Sequence, residues 1–181
     1  MMYMTRRSPL ILSAILPLLA LAQIACAQGR GNRVSPHETV SVDLKSDKVT
    51  ISYGRPYLKG RKLDDIEAYG KVWRLGADEA TKLTVTTKTR IGDSLDLEPG
   101  SYSLFAMAGA SKWTIIVNRV ADQWGAFSYK QSEDLGRFDA PAKQGSPVEQ
   151  FTISLSRQSD STATLTFAWG DTSVSTTVKA I

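Results

Sequence analysis

Cysteine and histidine are almost absent from this chain of 181 residues, where Cys26 and His37 stand alone. One cysteine closes no intramolecular disulfide, and a single histidine beside it leaves no recognisable zinc-ligand spacing. A hydrolytic Ser-His-Asp arrangement needs an imidazole fixed by a partner beside the nucleophile. His37 follows Pro36 ahead of the first strand-like segment and is badly placed for that role. No glycine-rich loop follows a strand, and the basic residues gather into no single run, so nucleotide and nucleic-acid binding lack support. No EF-hand spacing occurs either. An all-oxygen calcium site near Asp93 and Asp96, or near Asp134 and Asp139, competes with the simpler reading of these acids as solvated turns. Neither a metal ion nor a cofactor is expected.

Long apolar runs are also missing, with one exception at the N-terminus. Arg6 and Arg7 precede a run from Leu10 to Ala25, and Ala25-Cys26-Ala27 gives the small residues of a signal-peptidase site. The pattern predicts a signal peptide over 1–27, cleavage after Ala27, and export to the periplasm or beyond. Acylation of Cys26, as in a lipoprotein, is the rival reading, although Gln23 and Ile24 stand where such signals prefer leucine and a small residue. A retained anchor fits less well, because Pro17 interrupts a run shorter than the ~20 residues that span hydrocarbon. The formal charge of +4 includes Arg6 and Arg7, so the mature chain carries about +2 and gives little reason to expect a polyanionic partner. A mature domain of about 150 residues buries enough surface to fold without cross-links.

What the chain does have is alternation. Residues 28–37, "GRGNRVSPH" with Gln28 before it, read as a flexible leader, and 38–181 as a single domain. "ETVSVDL", "KVTISYG" and "KLTVTTKTR" alternate with period two, as an antiparallel sheet with one wet face requires. A hairpin is expected at Gly92-Asp93 and a turn at Pro99-Gly100. "KWTIIVN" reads as a strand buried on both faces. "EQFTISLS", "TATLTFAWG" and "TSVSTTVKA" continue the alternation, with short polar turns between them. Helical character is confined to "LDDIEAYG" and "QSEDLG", a turn or two each. The fold class is therefore all-β, a mostly antiparallel β-sandwich of about nine to ten short strands. One aperiodic connection, from Asn118 to Val148, breaks the even spacing and suggests a functional loop or a crossover between sheets.

The segments "ISYGRPYLKGRKL", "YGKVWRLGADEATKL", "PGSYSLFAM", "KWTIIVN" and "WGAFSY" occur in this order. Together they resemble the bacterial exported family catalogued as domain of unknown function 2911, from about Ser35 to the C-terminus. The resemblance implies export and the fold class and carries over no catalytic residue. Family members often have Asn where this chain has Asp78, which speaks against Asp78 as an essential acid.

The remaining chemical signal is a concentration of arginine, tryptophan and carboxylate in loops. Arg55, Lys59 and Arg61 follow the second strand; Trp73, Arg74, Asp78 and Glu79 lie in "YGKVWRLGADEATKL"; Trp124 and Tyr129 lie in the long connection. Flat aromatics cover the apolar face of a pyranose while charged and amide groups bond its hydroxyls, and the same residue types anchor protein interfaces. A non-catalytic module that binds a small molecule, a glycan or an envelope component is the first reading. A structural envelope accessory protein is the second. A hydrolase of glycosidase type, with two carboxylates about 5 to 10 Å apart, is the third. Asp78 and Glu79 are sequence neighbours that point to opposite faces of a strand, so Glu79 with Asp122 or Glu133 is the pair to consider. Against any site stands a structural use of the same segment: Gly76-Ala77 leaves little side-chain bulk, so its backbone can pass close to a neighbouring strand, and Arg55 or Arg74 can pair with Glu79.

Overall fold

Period-two alternation becomes a set of antiparallel strands. The computed structural model describes residue 1 and residues 33–181 apart from 46, 67 and 68, so the expected cleavage site lies outside the described residues. The strands are β1 (His37–Leu44), β2 (Asp47–Gly54), β3 (Val72–Trp73), β4 (Thr81–Val85), β5 (Thr89–Ile91), β6 (Leu95–Leu97), β7 (Gly100–Met107), β8 (Lys112–Asn118), β9 (Asp134–Arg157) and β10 (Thr162–Ala180). Among the described residues helix is limited to α1 (Leu63–Ile66) and a 3-10 turn at Gln131–Glu133, in the two segments where the sequence suggests it. Among the described residues no helix is long and apolar enough to cross a membrane.

Pairing runs β1-β2-β4-β7-β8-β9-β10-β5-β6, with β3 joined to β7, and every pair is antiparallel. The path bends at β9. Its first part, Asp134–Pro141, pairs with β8, whereas Ala142 onward pairs with β10. One strand thus serves two layers, as corner strands do when sheets pack across each other. The all-β class expected from the sequence holds.

Three expectations about strand length do not. The connection from Asn118 to Val148 ends by Lys130, and Asp134 already opens the 24-residue β9. Gly136, Pro141 and Gly145 look like turn residues, yet they sit in the stretch where β9 changes partner. "TATLTFAWG" and "TSVSTTVKA" form one strand, because Gly170, at φ +59°, absorbs the register shifts as a bulge instead of turning the chain. "KLTVTTKTR" is the converse case. It splits into β4 and β5, because the buried Asp47 carboxylate draws Thr86 N–H (2.8 Å), Thr87 N–H (3.1 Å) and the Thr89 hydroxyl out of line.

The main core lies between the layers. Trp73 and Trp169 stack at 5.6 Å, and Trp113 and Phe151 meet the Trp73 ring edge-on at 5.7 and 5.1 Å. Buried side chains of this size each contribute about 1.5–3 kcal/mol by leaving water, so this cluster anchors the layers to each other. A smaller cluster of Ala80, Phe105 and Ile116 lies on the other face of β7 and β8, covered by Ala126 and Tyr129 from the connection. Both faces of β8 are therefore covered, which accounts for the unbroken apolar run of "KWTIIVN".

Candidate functional site

The segment between β3 and β4 is a tight loop held from behind by backbone packing. A Cβ built on Gly54 at the end of β2 would stand 2.2 Å from the Ala77 carbonyl oxygen, and one on Gly76 would stand 3.0 Å from the Gly54 oxygen. The close approach expected at Gly76-Ala77 is present. Inside the loop, the Trp73 indole N–H donates to the Gly76 carbonyl (3.1 Å), and Thr81 N–H donates to the Arg74 carbonyl (3.1 Å). Leu75 and Asp78 take positive φ, +52° and +63°. Asp tolerates that conformation far better than a bulkier residue, so the backbone itself explains an Asp at position 78.

From the front the loop is held by the start of the domain. Arg33 forks onto Glu79, with Nε 2.9 Å from Oε1. His37 Nε2 lies 3.1 Å from Asp78 Oδ2, and the N–H groups of Val34 and Ser35 donate to the same carboxylate. Burial alone would push the Glu79 carboxyl up, but the Arg33 hydrogen bonds and charge outweigh it and hold the group below its ordinary value. Residues 33–37, assigned to the leader by composition, are thus seated on the two acids.

The other candidates divide between anchoring and the cleft. Arg55 donates to the Phe151 carbonyl (3.2 Å) and to Thr152 Oγ1 (2.9 Å) and pairs with Glu38 (2.7 Å), tying β1 and β2 to β9. Lys59 N–H bonds Glu149, and the Arg61 guanidinium closes on the Leu58 and Tyr57 carbonyls. Trp73 is 2% exposed and belongs to the core. Arg74, Asp78, Glu79, Trp124 and Tyr129 do converge. Glu79 forms an isolated bridge with Trp124, Gly125 N–H donates to the Asp78 carbonyl (2.9 Å), and Ala80 N–H donates to the Gln123 carbonyl (2.9 Å). The loop before β4 and the connection after β8 are therefore one joined surface.

On that surface lies an open cleft of about 470 Å³, whose lining includes Asn118, Asp122, Gln123, Trp124, Lys130 and Glu133. Trp124 is the one of the nine sequence candidates on its lining, at 41% exposure, and Phe127 beyond it is 88% exposed. The floor is fixed by a polar network. Asn118 donates to Asp134 (2.9 Å) and the Lys130 carbonyl (3.1 Å) and accepts from Gln123 and the Val120 N–H; Gln123 donates in turn to Ser103 Oγ (3.1 Å). Tyr129 packs edge-on against Phe105 and donates to Asp134 (2.7 Å). Its hydroxyl is pushed up to about 12, first by burial and then by Asp134. Such a network keeps the cleft walls in one geometry. Asp122 bonds Lys82 at 2.9 Å, and Glu79, taken by Arg33, is not among the lining residues. The carboxylates that face this cleft are therefore Asp122 and Glu133.

Asn118, Gln123 and Lys130 were not singled out by sequence. The available signal was a polar residue closing an otherwise apolar strand at Asn118, and an amide immediately before an aromatic at Gln123-Trp124. A second cleft of about 430 Å³ lies between the β5–β6 turn, β9 and β10, lined by Asp93, Arg137, Asp139 and hydroxyl residues of β10. Two of its charges are used internally: Arg137 holds Asp134, while Lys112 and Thr114 hold Asp139. Asp96 is likewise forked by Arg90. Among the described residues no group of three or more His, Cys, Asp or Glu side chains could hold a metal ion.

The family described as a protein of unknown function, DUF2911, matches residues 35–178. No curated protein and no solved structure matches the chain.

Proposed function

We infer a role for this chain starting from its membership of the DUF2911 family, whose description records no function to inherit, so the reading rests on the site alone. It is an exported, non-catalytic binding module that takes a glycan in the cleft beside Trp124. The observation that carries this is one exposed indole at the mouth of a cleft lined by amide, carboxylate and ammonium groups. An indole face covers the C–H face of a pyranose, and Asp122, Glu133 and Lys130 on the cleft lining offer acceptors and donors to ring hydroxyls. The network beneath the cleft supports binding because groups already fixed lose less freedom when a ligand arrives.

The tryptophans supply the test. Trp73, Trp113 and Trp169 are at most 2% exposed, so the accessible tryptophan fluorescence comes from Trp124. Acrylamide quenching is measured with neutral oligosaccharides of glucose, xylose and N-acetylglucosamine, for the native chain and for Trp124→Phe. Saturable protection of the native chain, together with calorimetric binding that Trp124→Phe weakens, supports the reading, and native quenching unchanged by every sugar overturns it. Export is tested separately by intact mass of the native protein. An N-terminus at Gln28 supports cleavage after Ala27, whereas lipid on Cys26 selects the lipoprotein reading.

A further inference from the structure

Arg74 is a charged side chain on the joined surface that lacks a partner. Among the described residues Arg74 meets no carboxylate within 4.0 Å, and its Nε is buried without a hydrogen-bond acceptor. The expected pairing with Glu79 is pre-empted by Arg33. A buried N–H left without an acceptor is destabilising, and a guanidinium favours a carboxylate as its partner. The guanidinium reaches the turn after Trp124, with Nη1 4.0 Å from a Cβ built on Gly125. That position of the turn is a glycine at φ +64°.

The acids nearest Arg74 are engaged elsewhere. Asp122 is paired with Lys82, and Asp78 and Glu79 are paired with the arm at 33–37. Lys130 and Glu133 lie opposite each other in sign on the cleft lining. The Arg74 cation thus lies at the turn that follows the exposed Trp124, without an ion-pair partner among the described residues. Phe127, whose ring would lie 3.0 Å from a Cβ on Gly125, puts a second exposed aromatic on the same turn.

We propose that Arg74 is a binding residue for a carboxylate, and that the ligand is an acidic oligosaccharide whose uronate group meets Arg74 while a neighbouring ring lies on Trp124. The proposal rests on the glycan reading of the cleft and narrows it to uronate-bearing chains. Two aromatics on one turn suit a ligand of more than one sugar ring.

The probes are oligogalacturonate and oligomannuronate, each beside its methyl ester, which keeps the sugar skeleton and removes the charge. Protection of Trp124 from acrylamide is titrated at low and high salt for the native chain, Arg74→Gln and Arg74→Lys. At least one acid is expected to bind about tenfold or more tightly than its ester, as a charge-assisted pair provides. The preference shrinks in salt, disappears in Arg74→Gln and survives in part in Arg74→Lys. Equal binding of acid and ester by the native chain overturns the carboxylate proposal while leaving the glycan reading intact, and needs no variant to fold. An acid preference unchanged in a folded Arg74→Gln chain overturns the assignment to Arg74. No protection by any acid or ester, with none by the neutral sugars, overturns both readings together.

Discussion

Gly54→Ala is the most incisive perturbation of the loop that carries Arg74 and Glu79. Gly54 lies in β2 outside the positive-φ region, so alanine meets no backbone penalty there. In open space the change should stabilise by about 0.4–1 kcal/mol, because alanine restricts the unfolded chain. The new methyl instead stands 2.2 Å from the Ala77 oxygen and 2.8 Å from its carbon, well inside contact. Both atoms are backbone, and the loop cannot swing aside without breaking Thr81 N–H to Arg74 and the Trp73 indole bond to Gly76. Overpacking a well-filled core costs about 1–3 kcal/mol and occasionally more. With contacts this short the upper part of that range applies, and the expected net loss is about 2 kcal/mol. Urea denaturation with an unchanged slope reads it directly, and the melting temperature should fall by about 4–8 °C. A variant as stable as the native chain, or more stable, would refute the claim that backbone contact at Gly54 holds the loop.

Two further outcomes probe its neighbours. Asp47 sits nearly buried, where burial pushes its carboxyl up but hydrogen bonds from Thr89, Thr86 and Thr87 outweigh this and bring it below the ordinary value. A carboxyl lowered by folding stabilises fully above the ordinary carboxylate range and loses that contribution as pH falls through its folded value. Asp47→Asn should therefore cost about 1.5–3 kcal/mol at neutral pH, the worth of hydrogen bonds to a charged group, and the urea midpoints of variant and native chain should converge in acid. A gap that stays constant across pH would refute it. Glu79→Gln removes the charge that Arg33 forks onto, so residues 33–37 should gain amide hydrogen exchange while the β7 and β8 amides keep theirs. Unchanged exchange at residues 34–37 would show that the arm is held by other contacts.

How far the sequence reveals this fold depends on whether each signal is local. Alternation is a property of adjacent residues, so β1 and β2 are visible in the chain, as are the hairpin between β5 and β6 and the covered faces of β8. Glycine and proline are ambiguous, because the same residue that turns a chain also relieves a bulge. Gly170 bends β10 without ending it, and only the pairing across to β9 decides between the two. The break between β4 and β5 is imposed by Asp47, some forty positions away in sequence. The site follows the same rule. Trp73 and Trp124 each stand beside an arginine or a glycine in similar company, yet one closes the core at 2% exposure and the other lies open at 41%. What separates them is tertiary placement: Trp73 packs into the main core, while Trp124 lies on the connection bridged to Glu79. The residues that line the cleft come from the end of β8 and the turns after it, and their convergence is a tertiary fact.

The structural and binding readings of "YGKVWRLGADEATKL" are therefore not rivals. The backbone contact at Gly54 and the docked arm fix the loop from two sides. The loop in turn fixes the connection through two backbone hydrogen bonds, at Asp78 and Ala80, which together bridge Glu79 to Trp124. A loop free to move would carry Trp124 and Arg74 as separate mobile groups, and a ligand would have to order both. Held together, indole and guanidinium are presented at one spacing before any ligand arrives. The residues that bind and those that clasp can then lie side by side in one short segment: Asp78 and Glu79 spend their charges on the arm, and that leaves the charge of Arg74 for something else.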